Sequence, residues 1–409
     1  MINKLFKSDA FLLIISSAIS QIILIITVPL ISRLYSPTEF GIFTIFTNVA
    51  TIIIPIINAR YDLLIINAKS EDMANKLSQI SFYISLIIII ILAPIGLVFS
   101  ILYNAFFREL LILIILLVFV SLTNIFTSYL NLNRKYKLVS LINVTRSFFM
   151  VLIQIVFGFY HLGAIGLIIG FSASYLAGIT IGYKEFKMHF KFNGNKQDLK
   201  DIFFENINQL KYSTPSLIIN SFSFSIIVFV IGLIYTKHDV GIYGMALRVL
   251  AVPVVVAGLG LSKIFMQNAN NVYNKDRSFR KLLIEYTLLL SFLGMSVYIP
   301  ILLWGKQIII ILLGDQWGDA SKLFLPLSIL CFIRLIVSTV SLSSVVIGKQ
   351  KLDLYFQILL LCSAVLSCLY AMLINLNFIN FVFINSLAMV TCYLIFYSTL
   401  FYYSKEKGS

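Results

Sequence analysis

The chain is 409 residues long, 60% hydrophobic and 12% charged, with a mean hydropathy of +0.97. Water-soluble domains carry about a quarter charged residues, so a cytosolic enzyme is excluded and little sequence remains for a soluble domain. The excess of 31 Lys and Arg over 17 Asp and Glu would fit a nucleic-acid partner only if the cations were clustered on a polar surface. They fall in short loops between apolar runs, the pattern that orients a membrane protein, and no nucleic-acid partner is expected.

Lys4 and Lys7 precede the first apolar run, 11–31. It is too long for a secretory signal core, no convincing small-residue cleavage site follows, and it leads directly into another span, so it reads as a retained first helix. Further runs lie at 42–58, 80–102, 110–130, 140–159 and 162–182. A polar, Lys-rich stretch, 183–211, comes next, followed by runs at 213–235, 241–260, 282–303, 323–347, 354–374 and 381–402. The runs are long and continuously apolar, without the period-two alternation of outer-membrane strands, so helical spans are required. The expected fold is an all-α polytopic membrane protein of twelve transmembrane helices. Its expected organisation is an N-terminal six-helix lobe (1–182), a cytoplasmic basic linker (183–211) and a C-terminal six-helix lobe (212–409).

Lys and Arg near span ends are retained on the cytoplasmic side. With the N-terminus inside, the inside segments collect twenty-four cations when Arg146, in the inner part of its span, is counted with them, whereas the outside segments hold five: Arg33, Arg108, Lys237, Lys306 and Lys322. Arg248 and Arg334 remain within spans. This skew places both termini in the cytoplasm and accounts for the basic charge.

The two halves carry an internal repeat. Tyr35, Glu39, Phe40, Gly41, Ile42 and Phe43 align with Tyr235, Asp239, Val240, Gly241, Ile242 and Tyr243 at an offset of 200. Each acid stands two residues before a Gly at the outer start of a helix, where a carboxylate caps free backbone donors. Ser16 and Ser20 match Ser216 and Asn220. Pro55 and Pro253 each interrupt the second span of their half, freeing a carbonyl and bending the helix. An even number of spans per half relates the repeats by an axis along the membrane normal, with substrate expected between the lobes.

An arginine at a span centre costs about 2.5–3.5 kcal/mol on insertion scales, so its presence calls for a hydrated or paired site. Arg334 lies near mid-span, with Ser338 and Ser341 on the same face. Arg248 and Arg146 lie well inside their spans. Polar stripes run along the second span (Thr44, Asn48, Thr51, Asn58) and the fourth (Ser121, Asn124, Ser128, Asn131). They read either as interhelical hydrogen bonding or as contacts for a polar passenger. No carboxylate lies at a span centre; Glu285 is near the inner end of the ninth span and Asp62 beyond the second. A cavity rich in guanidinium groups and poor in acids favours an anionic passenger over a cation. Cys331, Cys362, Cys368 and Cys392 lie in apolar stretches without metal-ligand spacing and read as buried small hydrophobes; His161, His189 and His238 lie at loops. No metal or cofactor is expected.

Leu30–Phe43 (LISRLYSPTEFGIF) and Ala59–Leu63 (ARYDL) resemble the first-loop and second-helix signatures of bacterial oligosaccharide-lipid flippases. These include the O-antigen flippases within the multidrug/oligosaccharidyl-lipid/polysaccharide exporter superfamily. Leu313–Trp317 (LGDQW) and Gly348–Lys351 (GKQK) are similar to the second half of that family. The resemblance implies a V-shaped, multidrug-and-toxin-extrusion-like pair of six-helix bundles in the bacterial cytoplasmic membrane. It implies an undecaprenyl-pyrophosphate-linked oligosaccharide as cargo, membrane lipids as surroundings, and a polysaccharide polymerase and chain-length proteins as partners. Coupling to H+ or Na+ fits the family, though no membrane-embedded acid stands out. Arg334, Arg248, Arg146, Arg60 and Arg33 become candidates for the diphosphate or for gating. Asn48, Asn124, Ser338 and Ser341 become candidates for the sugar hydroxyls.

Three other readings compete. A lipid II-type flippase is chemically close but usually carries additional helices. A drug or cation antiporter wants an acid in the first span, and 11–31 has none. A membrane polymerase or glycosyltransferase wants acids displayed in a loop; the longest outer segment, 304–322, offers Asp315 and Asp319 beside Trp317, and they read as loop and capping residues.

Overall fold

Runs of about twenty apolar residues leave every backbone polar group to be satisfied within its own segment, which only a helix achieves in lipid. A computed structural model describes residues 9–103, 106–189, 194–207, 209–276, 278–347, 349 and 351–404, and the described residues are helical with no strand. Lys4, Lys7, Lys191, Arg277, Gly348, Gln350, Lys405 and Lys407 lie outside them, as do the side chains of Ser216, His189 and Lys263. Eleven described helical stretches are long and apolar enough to cross a membrane. The twelfth expected span is a pair, Lys237–Leu250 and Val252–Gly258, bent by 47° just before Pro253.

Two compact units emerge from the chain: Met1–Tyr35 with Ile45–Ser221, and Ser36–Thr44 with Phe222–Ser409. The first contains α1 (Asp9–Ile26) and α2 (Val28–Leu34), which together make one span interrupted at Thr27. It also contains most of α3 (Pro37–Ile53), then α4 (Tyr61–Ile66), α5 (Glu71–Tyr103), α6 (Phe107–Leu132), α7 (Tyr136–Phe159), α8 (Ala164–His189) and α9 (Lys196–Glu205). Its main packing runs through α7 on α8, α6 on α8 and α1 on α7. The described residues of the polar stretch 183–211 are largely helical. Helix α8 continues to His189 because Phe186 still packs against Phe126 (4.5 Å) and Tyr129 (5.5 Å), and Lys135 pairs with Glu185. Helix α9 lays Leu199, Ile202 and Phe203 on the core formed by Tyr61, Ile65, Ala74 and Leu77, and Lys76 bridges to Asp198 at 3.0 Å.

The second unit contains α10 (Thr214–Ile234) from Phe222 onward, α11 (Lys237–Leu250), α12 (Val252–Asp276), α13 (Arg280–Leu313), α14 (Phe324–Val340), α15 (Lys351–Ile374) and α16 (Phe378–Tyr403). Helices α12, α13 and α16 pack around α14. The two repeat copies meet inside this unit. A Cβ on Gly41 would stand 1.8 Å from the carbonyl oxygen of Lys237, and one on Gly241 would stand 1.8 Å from that of Pro37. Only glycine allows this reciprocal approach. Both acids cap as the sequence predicts: Glu39 Oε2 accepts from the Ser36 N–H at 2.7 Å, and Asp239 Oδ2 accepts from the Thr236 N–H at 3.1 Å. Cys331, Cys368 and Cys392 are buried, but Cys362 is exposed on the outer face of α15, correcting the expectation that all four are buried.

Candidate functional site

In the first unit, Pro55 ends α3 in a single 3-10 turn, and the chain then passes through left-handed Ala59 (φ 45°) and Arg60 (φ 66°) before α4. Two consecutive non-glycine residues in this region are strained and must be held from outside. The anchor is Asn58, buried at 1% exposure. Its amide donates to Ser121 Oγ at 2.8 Å and to the Ser81 carbonyl at 3.3 Å, while its carbonyl accepts from Asn124 Nδ2 at 3.2 Å. Asn124 therefore spends one donor within the bundle. Arg60 Nε is buried without a partner. Beside it, burial raises the Asp62 carboxyl above the usual range, with the Arg60 charge partly opposing the rise. Tyr61 stacks on Phe203 at 5.5 Å and donates to its carbonyl at 2.8 Å, and burial pushes its phenol up to about 12.

Arg146, on α7, turns toward α8. Its guanidinium carbon lies 3.5 Å from the centroid of the Tyr175 ring, and Gly178, one turn further along α8, leaves room for its stem. Its Nε is buried without a partner. Arg33 is exposed in the last turn of α2, and Asn48 is half-buried on α3, its carbonyl accepting from Thr51 Oγ1 at 3.1 Å.

In the second unit, Arg334 on α14 lies over the Phe224 ring at 4.6 Å, and Arg248 on α11 lies 5.7 Å from the centroid of Phe40. Ser341 Oγ donates to the Ser338 carbonyl at 2.8 Å, one turn beyond Arg334. Among the described residues, Arg146, Arg248 and Arg334 make no hydrogen bond and no ion pair. Each has an aromatic face instead. Tyr175, Phe40 and Phe224 are partners that sequence reasoning missed, because helical periodicity assigns a residue to a face without naming what lies opposite.

Asp319 pairs with Lys322 at 2.7 Å, and Trp317 is fully buried with its ring edge-on to Phe40 at 5.7 Å. Asp319, Lys322, His238, Asp239, Asn377 and Phe378 line a cavity of about 310 Å³ in the second unit, and none of the candidate arginines reaches it. Among the described residues, no three His, Cys, Asp or Glu side chains are placed to hold a metal ion.

Residues 30–322 match the family described as polysaccharide biosynthesis protein. Among solved structures, the lipid II flippase MurJ in an inward closed conformation is similar with a TM-score of 0.73 and 17% identity, over 96% of this chain and 87% of that one. An inward-facing multidrug resistance MATE family transporter of the MOP superfamily is similar with a TM-score of 0.61 and 17% identity, over 97% of this chain and 96% of that one. At such identities the likeness is one of fold. No curated protein matches the chain.

Proposed function

The chain belongs to the polysaccharide biosynthesis protein family, and from that premise we propose that it flips undecaprenyl-pyrophosphate-linked oligosaccharide repeat units across the bacterial cytoplasmic membrane. In this reading two six-helix lobes alternate between inward-open and outward-open states, with both termini in the cytoplasm. The carrying observation is that three arginines lie within apolar spans and, among the described residues, none meets a carboxylate. Each unpaired guanidinium costs about 2.5–3.5 kcal/mol to insert, a cost offset when a ligand supplies the missing anion. A diphosphate linking lipid to glycan is such an anion, and its tail can stay in the bilayer while the headgroup crosses.

Arg334, Arg248 and Arg146 are assigned to the diphosphate. Arg60 and Arg33, near span ends, are assigned to headgroup entry and release. Asn48, Asn124, Ser338 and Ser341 supply donors and acceptors for sugar hydroxyls. Coupling to H+ or Na+ is carried over from the family alone.

The test is a deletion strain assayed for surface polysaccharide and for lipid-linked repeat units retained on the inner leaflet. Deletion produces retention, and Arg334→Ala reproduces it at normal protein level. Wild-type export by a stably inserted Arg334→Ala protein removes that residue from the site. A lipid II-type cargo is the second reading, favoured by the MurJ-like fold along most of the chain. Accumulation of the peptidoglycan precursor instead of a glycan repeat unit would select it.

A further inference from the structure

A buried guanidinium has three ways to be stabilised: a carboxylate, backbone carbonyls, or the face of an aromatic ring. The first two occupy its N–H donors. The third leaves them unused by any oxygen acceptor, because a ring face attracts the charge of the ion without supplying a lone pair to its five N–H donors. Arg146, Arg248 and Arg334 each use the third way, at 3.5, 5.7 and 4.6 Å from the ring centroid, and make no hydrogen bond or ion pair among the described residues.

We propose that Tyr175, Phe40 and Phe224 are positioning residues that hold these arginines in place without neutralising them, so that their donors remain available to a polyprenyl diphosphate. This rests on the cargo reading above. A carboxylate in the same position would have to be displaced in every cycle, and breaking a desolvated ion pair is expensive. An aromatic face compensates part of the desolvation and need not be displaced. Two of the rings are themselves buried, Tyr175 at 7% exposure and Phe40 at 3%, and Phe224 is half-buried. Tyr175 makes the closest contact, and Gly178, one turn further along α8, leaves room for the Arg146 stem beside it. Its removal should therefore have the largest effect.

The experiment uses the purified full-length protein in nanodiscs of uncharged lipid, with inorganic pyrophosphate as the probe and equilibrium affinity as the readout. Arg146→Ala is expected to weaken binding about tenfold or more, the scale of a charged hydrogen bond. Tyr175→Leu is expected to weaken it about three- to thirtyfold, the range of a partly to fully desolvated cation–π contact, and Tyr175→Phe to restore it. Because the ring acts through the arginine, the Arg146→Ala/Tyr175→Leu double variant should bind no worse than Arg146→Ala alone. Wild-type affinity in Tyr175→Leu, or losses that multiply in the double variant, overturns the proposal while leaving the cargo reading intact. Equal affinity in the wild type and in Arg146→Ala, Arg248→Ala and Arg334→Ala overturns both. Should Tyr175→Leu not insert stably, Phe224→Leu, Phe224→Tyr and Arg334→Ala form the same cycle in the other unit.

Discussion

Replacing Gly41 or Gly241 with alanine tests the repeat as a physical contact. The added Cβ would stand 1.8 Å from a carbonyl oxygen in either case, whereas real Cβ atoms essentially never approach within 3.0 Å. The first turns of α3 and α11 must therefore part by about 1.2 Å or more, and neither obstacle is a flexible side chain: both are main-chain carbonyls inside capped helical turns. Overpacking of this kind costs about 1–3 kcal/mol. At about 2–4 °C per kcal/mol, each single substitution should lower the apparent melting temperature by roughly 2–12 °C in detergent. The contact is reciprocal, so one displacement relieves both clashes. The double variant should then melt close to the worse single one. Retained wild-type stability in Gly41→Ala, or fully additive losses in the double variant, would refute the reasoning.

Asn58→Leu should destabilise the first unit by about 2 kcal/mol, since three buried hydrogen bonds at about 0.6 kcal/mol each are lost in a membrane setting; Ser121→Ala, losing only one, should cost visibly less in the same unfolding assay. Burial raises the Asp62 carboxyl pKa, so its effect on stability is most favourable below the ordinary carboxylate pKa and is lost as pH rises through the raised value. Wild-type stability relative to Asp62→Asn should accordingly fall with rising pH, and a flat difference across a pH series from 3 to 8 would count against it. Phe224→Glu should place an acid beside Arg334 and block glycan export as severely as Arg334→Ala, read by surface polysaccharide at matched protein level; unchanged export would mean that the guanidinium donors are not needed.

Much of the fold was legible because membrane burial reduces it to one variable. Apolar run length located the spans among the described residues, and Pro55 and Pro253 coincide with a 3-10 turn and a 47° bend. The end of α8 was not legible: Phe186 and Glu185 extend it by contacts with α6 and the following loop, which no hydropathy pattern reveals. For the site, unusual residue types stood out and their partners did not. Arg146 is conspicuous in an apolar run, but Tyr175 is one tyrosine among 21 until α7 and α8 are packed. The Asn stripe shows the converse. Asn58 and Asn124 were found by spacing, and the structure shows that they bond to each other, a use that spacing alone leaves open.

The arrangement of acids carries the electrostatic argument further than the arginines alone. Among the described residues, Glu39 and Asp239 cap helices, Asp72 and Asp198 hold Lys76, Glu185 holds Lys135, Asp319 holds Lys322, and Asp353 accepts from Ser344 at 2.6 Å. These carboxylates sit at or near helix ends or in loops, each with a local task, and leave the three span-embedded guanidinium groups uncompensated by any ion pair. A cation brought beside any one of these guanidinium groups would lose hydration and meet repulsion, both unfavourable in a low dielectric. A diphosphate would lose hydration too, but it would gain charge-assisted hydrogen bonds from donors that already lack partners. The same desolvation that makes each unpaired guanidinium costly thus gives an anion its advantage over a cation beside it.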